Sequence, residues 1–278
     1  MRVKADLCVA PHFYSPQDSK RAPSLKQIVE GLSKKDLDVV ALTSCHTATS
    51  GIDNRWRDYM GQLSSLGSEW EIQYDEKTGV LNLQGKESNK RLLLVHTQIV
   101  RAYDGKNPAD LNVFGVGKII QPSRDIAETA KEVKGNGGFV LVRDPGAKSS
   151  AKLEKALELY ESGAADGIQI SATTPDEQNQ KIIRKLSARD IKAFPASNAK
   201  RYQDAGTSYA TFKVDKVDIR KIGQRIRGNN FEAHYGQISP WQRFWSRDIY
   251  ILLSWPGHYL AGGKRKDEFL KATGLKKK

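Results

Sequence analysis

Short apolar segments rich in β-branched residues alternate with amphipathic segments over most of the chain. Strands that are buried on both faces have this composition, because no position faces water. The apolar segments cover 37–42, 91–95, 111–116, 138–142, 167–170 and 191–194. With the opening residues from Met1, which already form a strand, they predict a sheet.

Helix signals lie between several of these segments. Ser24 precedes apolar positions at helical spacing, and Asp125 begins a second amphipathic segment that stops at glycines. Asp176 opens a third after Pro175, with an acidic first turn that suits the positive end of a helix dipole. A fourth covers 215–227. Alternating strands and helices predict parallel βα units in one large domain.

Two strand ends resemble known motifs. The stretch 5–12 has the frame of a motif that usually reads Asp-Leu-His-x-His-Thr, and the stretch 38–47 has the frame of one that reads Thr-Asp-His-Asn. Both motifs belong to the PHP (polymerase and histidinol phosphatase) family, which the chain resembles over about residues 1–227. The metal-ligand positions of these two motifs fall on Cys8, Ala10, Ser44 and Cys45.

Four later segments extend the resemblance. They resemble the family's Gly-x-Glu strand, its histidine strand, its His-Pro-Gly strand end and its Ser-Asp-Ala-His segment. The ligand positions there fall on Gln98, Asn112, Asp144, Asn198 and Lys200. The resemblance implies an α/β fold: a distorted seven-stranded (β/α) barrel of PHP type, with its site at the C-terminal strand ends. It also implies that the family's metal ligands are lost, so we predict neither a bound metal nor another cofactor.

A rearranged metal site is the alternative. Thiolate and imidazole are ligands that zinc accepts. The candidate ligands are Cys8, Cys45, His12, His46, His96 and Asp144. Their spacing matches no common zinc motif, and ordinary buried cysteines are the competing explanation for Cys8 and Cys45. These two cysteines cannot form a disulfide framework.

The charge of the chain is uneven. The net charge is +13, and residues 213–278 hold fifteen Lys or Arg against six Asp or Glu. An uneven positive field favours an anionic partner such as nucleic acid, although a solvated basic surface explains the same charge. No signal peptide and no apolar run that could span a bilayer are evident, so we predict no transmembrane segment and a cytoplasmic or nuclear location.

Residues 228–278 are predicted to be a basic, aromatic C-terminal extension of the 1–227 barrel domain. Arginine and aromatic side chains alternate there, a pattern that suits stacking on bases and contact with phosphates. The candidate nucleic-acid-binding residues are Trp241, Arg243, Trp245, Arg247, Lys264, Arg265, Lys266, Lys276, Lys277 and Lys278. The apolar run 249–255 could instead pack on the barrel or dock a protein partner.

These features predict a catalytically inactive PHP-like protein that acts as a binding or scaffolding module. Its predicted partner is nucleic acid, DNA or RNA, or a nucleoprotein complex. Two alternatives remain open: a metal-dependent phosphoesterase with a rearranged site, and a protein-interaction subunit of a larger nucleoprotein complex.

Overall fold

The fold is known from a computed structural model. It describes residues 1–9, 23–46, 55–105, 107–145, 151–172, 174, 176–199 and 202–236, without the side chains of Cys45 and His46. The elements in chain order are β1 (Arg2–Val9), α1 (Leu25–Ser33), β2 (Val39–His46), α2 (Arg55–Met60), β3 (Trp70–Asp75), β4 (Val80–Gly85), β5 (Arg91–Asp104), β6 (Asn107–Phe114), α3 (Ile126–Gly135), β7 (Phe139–Arg143), α4 (Leu153–Glu161), β8 (Gly167–Ser171), α5 (Asp176–Ser187), β9 (Phe194–Ala196), β10 (Tyr209–Lys213), α6 (Ile219–Arg227) and β11 (Glu232–His234). Within the described ranges, every helix is too short or too polar to cross a membrane.

Three of the four predicted helix starts are confirmed, and the fourth helix, predicted from 215, begins at Ile219. Ser24 caps α1 in a capping box with Gln27, which satisfies backbone N–H groups that the first turn leaves open. The Asp125 side chain accepts from the second and third residues of α3, and Asp218 caps α6 in the same way. The third predicted helix is α5, which begins at Asp176.

The sheet is larger than predicted and is not wholly parallel. In the described part of the chain it has eleven strands: nine lie in the order β11-β10-β1-β2-β5-β6-β7-β8-β9, and the β3–β4 hairpin adds to β5. β1, β2 and β5 are parallel, as are β7, β8 and β9, but β6 is antiparallel to both of its neighbours. A parallel bridge between Val9 and Ala199 joins the two ends of the β1-to-β9 path. The architecture is therefore α/β with a nearly closed, barrel-like sheet.

Hairpins account for the difference from the predicted parallel units. The segment 91–95 is only the start of β5, which continues to Asp104 and turns into β6 within two residues. An antiparallel pair needs only such a short turn, whereas a parallel pair needs a crossover. The sequence pattern also missed the β3–β4 hairpin and α4. Beyond residue 227, β11 pairs with β10 and extends the sheet.

Side chains of the sheet alternate between an enclosed core and the helix-covered outside, as the two-residue period of a strand requires. The enclosed core, here called the inner core, receives residues from six of the strands on the β1-to-β9 path, and α6 closes it with three isoleucines. It includes Ala5, Leu7, Val39, Ala41, Leu93, Val95, Phe114, Leu141, Phe194, Ile219, Ile222 and Ile226. The alternate residues pack outside, against α1 to α5.

A buried carboxylate ties the two ends of the β1-to-β9 path together. Asp6 on β1 accepts hydrogen bonds from the Ser197 hydroxyl, from the Ser197 N–H at 3.2 Å, from the Gly206 N–H at 2.8 Å and from the Cys8 N–H at 3.3 Å. Ser197 follows β9 directly. Desolvation by burial outweighs these donors and raises the pKa of Asp6 to about 6.

This pKa predicts a specific pH dependence of stability. The native state binds the Asp6 proton more tightly than the unfolded chain, so the contribution of Asp6 is full below pH 4 and is lost as pH rises through about 6. The free energy of unfolding of wild type minus that of Asp6→Asn should fall by about 3 kcal/mol between pH 4 and 7. Urea unfolding across this range measures it.

Asp75→Asn serves as the control for the direction of the pH dependence of stability. Its hydrogen bond from Thr78 lowers the pKa of Asp75, so its contribution is lost as pH falls below about 4, and the corresponding difference should rise with pH. A difference for Asp6→Asn that stays level or rises between pH 4 and 7 would contradict the assigned proton affinity.

Candidate functional site

A ring of polar side chains lies above the inner core. The residues on β2, β5, β6, β7 and β8 have the strand parity that faces the enclosed side, and the last residue follows the end of β9. The residue on β1 lies within a register shift between Asp6 and Val9, and its side chain contacts two other members of the ring. β1, β2, β5, β6, β7 and β8 supply one residue each, and the segment after β9 supplies the last. This polar collar consists of Cys8, Thr43, Thr97, Asn112, Arg143, Gln169 and Asn198.

One half of the collar is linked around Asn198. Arg143 donates from Nη2 to Asn198 Oδ1 at 2.9 Å, and the Cys8 thiol lies 3.7 Å from the same oxygen. Thr43 Oγ1 lies 3.9 Å from Cys8 Sγ. This half therefore brings a guanidinium, an amide, a thiol and a hydroxyl to the ends of four neighbouring segments.

The other half of the collar is neutral. Asn112 donates from Nδ2 to Gln169 Oε1 at 2.7 Å, across the inner face of β7. Gln169 is the register partner of Arg143, which joins the two halves. Thr97 lies diagonally across from Asn112 on the antiparallel β5–β6 pair. Thr97, Asn112 and Gln169 are all fully buried.

The rim of the collar is strained and holds one ion pair. Arg143 Nε lies 3.4 Å from Asp144 Oδ2, so the buried guanidinium has a carboxylate beside it. Asp144 and Asn198 have positive φ angles of 41° and 47°, an uncommon conformation for non-glycine residues. Such outliers concentrate at functional sites. The strain therefore supports the collar as the candidate site.

Several predicted site residues lie in the collar or beside it, and others lie outside it. Cys8, Asn112 and Asn198 are in it, and Asp144 is next to it. Ser44 and Gln98 have the opposite parity and face the outer side of the sheet. Ser44 Oγ bonds His96 Nε2 at 3.2 Å, and His96 stacks on Trp56 with ring centroids 5.1 Å apart. His96 therefore cannot join Cys8 in a rearranged metal site.

Gln98 has a structural role of its own. Its amide donates to the carbonyls of Val116 at 3.2 Å and Lys118 at 2.8 Å, and its oxygen accepts from the Ile120 N–H at 2.8 Å. These three bonds hold the segment that follows β6. Thr43 and Thr97 face the enclosed side instead. Each of them lies one position before the predicted residue, Ser44 or Gln98.

Other predicted site residues fall outside the described part of the chain. These are Ala10, Lys200, Trp241, Arg243, Trp245, Arg247, Lys264, Arg265, Lys266, Lys276, Lys277 and Lys278, together with the side chain of Cys45. The structure thus leaves the predicted nucleic-acid-binding residues of the C-terminal segment as predictions.

The sequence did contain a signal for the missed collar residues. Gln169 lies between two isoleucines of the buried strand Gly167–Ser171, and Arg143 ends the otherwise apolar strand Phe139–Arg143. A polar residue in a fully buried strand must find a polar environment. Every second residue of a strand faces the same side. Counting in steps of two from the apolar positions that face the enclosed core would have selected Thr43, Thr97, Arg143 and Gln169.

The described collar does not fit the metal cluster of the PHP family. Divalent metals need carboxylate, imidazole or thiolate ligands at close range. Among the described residues, no group of three or more His, Cys, Asp or Glu could hold a metal ion. The described collar presents amides, hydroxyls, a guanidinium and a single thiol, that of Cys8, and a guanidinium repels a cation.

Comparison with solved structures shows similarity of fold. PsfC from Pseudomonas syringae aligns with a TM-score of 0.57 at 13% identity, over 91% of this chain and 98% of PsfC. The lesion-specific endonuclease PfuEndoQ from Pyrococcus furiosus aligns with a TM-score of 0.52 at 12% identity, over 84% of this chain but only 58% of PfuEndoQ. No protein-family model and no curated protein matches the sequence. The similarity supports a barrel-like α/β fold.

The position of Gln98 yields a prediction. Gln98→Met removes three buried hydrogen bonds and should lower the free energy of unfolding by about 3 kcal/mol, because their backbone partners are left unsatisfied. Chemical denaturation measures this change. Gln73→Met, at an exposed glutamine of β3, is the control and should change stability by less than about 0.5 kcal/mol. Equal stability of both variants would refute the structural role of Gln98.

Proposed function

We propose that this protein is a PHP-type barrel without the metal ligands of the family, and that its polar collar binds a phosphate ester of nucleic acid. The observation on which this rests is Arg143. It places a buried guanidinium at the strand ends, where barrels of this kind hold their ligands. In this proposal the protein is a binding module and catalyses no hydrolysis.

The chemistry around Arg143 supports an anionic ligand. A guanidinium recognises phosphate by paired, charge-assisted hydrogen bonds. Asn198 fixes the guanidinium from one side, and Asp144 balances part of its charge. The remaining collar residues are uncharged, so they offer hydrogen bonds to a ligand without repelling an anion.

The C-terminal segment supplies the proposed affinity for a polymer. Residues 213–278 contain fifteen of the 45 Lys and Arg residues and only six of the 32 Asp and Glu residues. Neutralising several phosphates at once gives binding that is tight at low salt and weak at high salt. In this proposal the segment supplies contacts to the phosphate backbone of the polymer.

A second candidate is a metal-dependent phosphoesterase with a rearranged site. The fold comparisons favour it over an inactive scaffold, because one similar structure is a lesion-specific endonuclease. Cys8 and Asp144 are the two described residues at the collar that could act as ligands. Asn198 accepts from Arg143 beside Cys8, and Arg143 is paired with Asp144.

The first prediction of this proposal concerns Arg143. Arg143→Met should weaken binding of a labelled single-stranded oligonucleotide by tenfold or more, as expected for loss of a charge-assisted phosphate contact. Fluorescence anisotropy at fixed salt measures it. Arg189→Met is the control: this arginine pairs with Glu161 at 2.8 Å, lies outside both the collar and residues 213–278, and should change affinity little.

Salt dependence separates the collar from the C-terminal segment. Replacing Lys264, Arg265 and Lys266 by Ala should reduce the slope of log affinity against log salt by about two to three, because each lost phosphate contact reduces it by about one. Arg143→Met should reduce it by about one. An affinity that neither set of substitutions changes would refute this proposal.

Metal content separates the two candidates. The purified chain is expected to hold less than one manganese, iron or zinc ion per molecule and to show background turnover of phosphodiesters when these metals are added. Elemental analysis and a nuclease assay test this. One ion per chain, lost together with turnover in Cys8→Ser, would instead establish the phosphoesterase.

A further inference from the structure

The neutral half of the collar leaves polar atoms unused. In the described part of the chain, Thr97 Oγ1, Asn112 Oδ1 and Gln169 Nε2 have no hydrogen-bond partner. All three residues are 0% exposed. Each unsatisfied buried polar group costs about 1 to 3 kcal/mol, and native proteins contain few of them. Three on one enclosed face indicate a ligand that completes their hydrogen bonds.

The amide pair restricts what this ligand can be. In the observed orientation the bond from Asn112 to Gln169 leaves one carbonyl oxygen and one NH₂ group open. If both amides were turned over, the bond would run the other way and would again leave one acceptor and one donor. The pair therefore presents a donor beside an acceptor in either orientation.

This pattern distinguishes between classes of ligand. A divalent cation is repelled by the NH₂ group, and a fully ionised phosphate offers no proton to the carbonyl oxygen. A group with an adjacent donor and acceptor satisfies both, as the hydrogen-bonding edge of a nucleobase does. The Thr97 hydroxyl can donate or accept and so suits either end of such an edge.

The surroundings of the amide pair combine apolar and cationic groups. Phe114 is the register partner of Thr97 and stacks on Phe139 at 4.6 Å, so the inner core next to the unused polar atoms consists of packed aromatic rings. Gln169 is the register partner of Arg143. A ligand on the amide pair therefore has a guanidinium on the adjacent strand.

We infer that Thr97, Asn112 and Gln169 recognise the edge of a nucleobase whose phosphate contacts Arg143, so that the collar binds a single nucleotide. The proposed contact between the phosphate and Arg143 rests on the proposed function. The proposed recognition of the base depends only on the unused atoms of the three neutral residues.

The test uses the full chain and three probes: nucleoside 5′-monophosphates, ribose 5-phosphate and free nucleosides, each titrated by calorimetry. Monophosphates should bind more tightly than ribose 5-phosphate. Thr97→Val should weaken monophosphate binding roughly tenfold and leave ribose 5-phosphate binding unchanged. Because the Thr97 hydroxyl has no partner in the described structure, the same variant should be as stable as wild type or more stable.

Thr129→Val is the matched control. Thr129 is equally buried, but its hydroxyl donates to the Asp125 carbonyl at 2.7 Å on α3, away from the collar. This variant should lose stability and keep wild-type affinity for every probe. A general effect of removing a buried hydroxyl would change both variants alike, whereas recognition of a base changes only Thr97→Val.

The outcomes separate the two proposals. Equal affinity for monophosphates and ribose 5-phosphate, with Thr97→Val binding as wild type, would overturn the base inference and leave phosphate binding intact. Binding of nucleosides that is sensitive to Thr97→Val, without any gain from a phosphate, would support the base inference and overturn the phosphate proposal. Absence of binding for all three probes would overturn both.

Discussion

The closed arrangement of the sheet depends on the Asp6 carboxylate. β1 and β9 lie at distant points of the chain, and within the described residues one bridge, between Val9 and Ala199, joins the two segments, so this backbone pairing alone ties them weakly. Asp6 adds hydrogen bonds to Ser197 and Gly206. The same contacts fix Cys8 and Asn198 at the start and end of the collar. A buried carboxylate with four donors thus positions the site as well as the fold.

The enclosed space has two layers of different chemistry. Apolar residues of the strands and of α6 fill the lower layer, and the collar forms the layer above it. Each polar collar residue interrupts or ends an apolar strand, at a cost in desolvation that a hydrogen-bonded neighbour or a ligand must offset. Structural polar residues such as Gln98 instead face outward, and their side chains form hydrogen bonds with backbone groups.

Much of the fold follows from local signals in the sequence. The caps at Ser24, Asp125 and Asp218 are local, and the apolar runs correctly located most strands of the β1-to-β9 path. Hairpins and strand direction were missed, because they depend on which strands pair rather than on composition. The β5–β6 hairpin is the clearest case: its strands are longer than the apolar runs that mark them.

The site was predicted less well, for a related reason. Three of the residues selected by aligning motifs, Cys8, Asn112 and Asn198, lie on the enclosed side. On β2 and β5 the same alignment selected Ser44 and Gln98, one position from Thr43 and Thr97. A shift of one residue exchanges the two faces of a strand, so an alignment error that is small in sequence is large in space.

The short connection between Asp104 and Asn107 fixes the register of β6 against β5. The pairing of β5 with β6 is counted from this turn, and the pairing sets which residue of each strand faces inward. One inserted residue there, taken up as a register shift, would move Leu111 to the place of Asn112 and exchange an amide for an apolar group. The hydrogen-bonding character of the enclosed space can thus change by insertion or deletion at a surface turn, without any substitution in the collar itself.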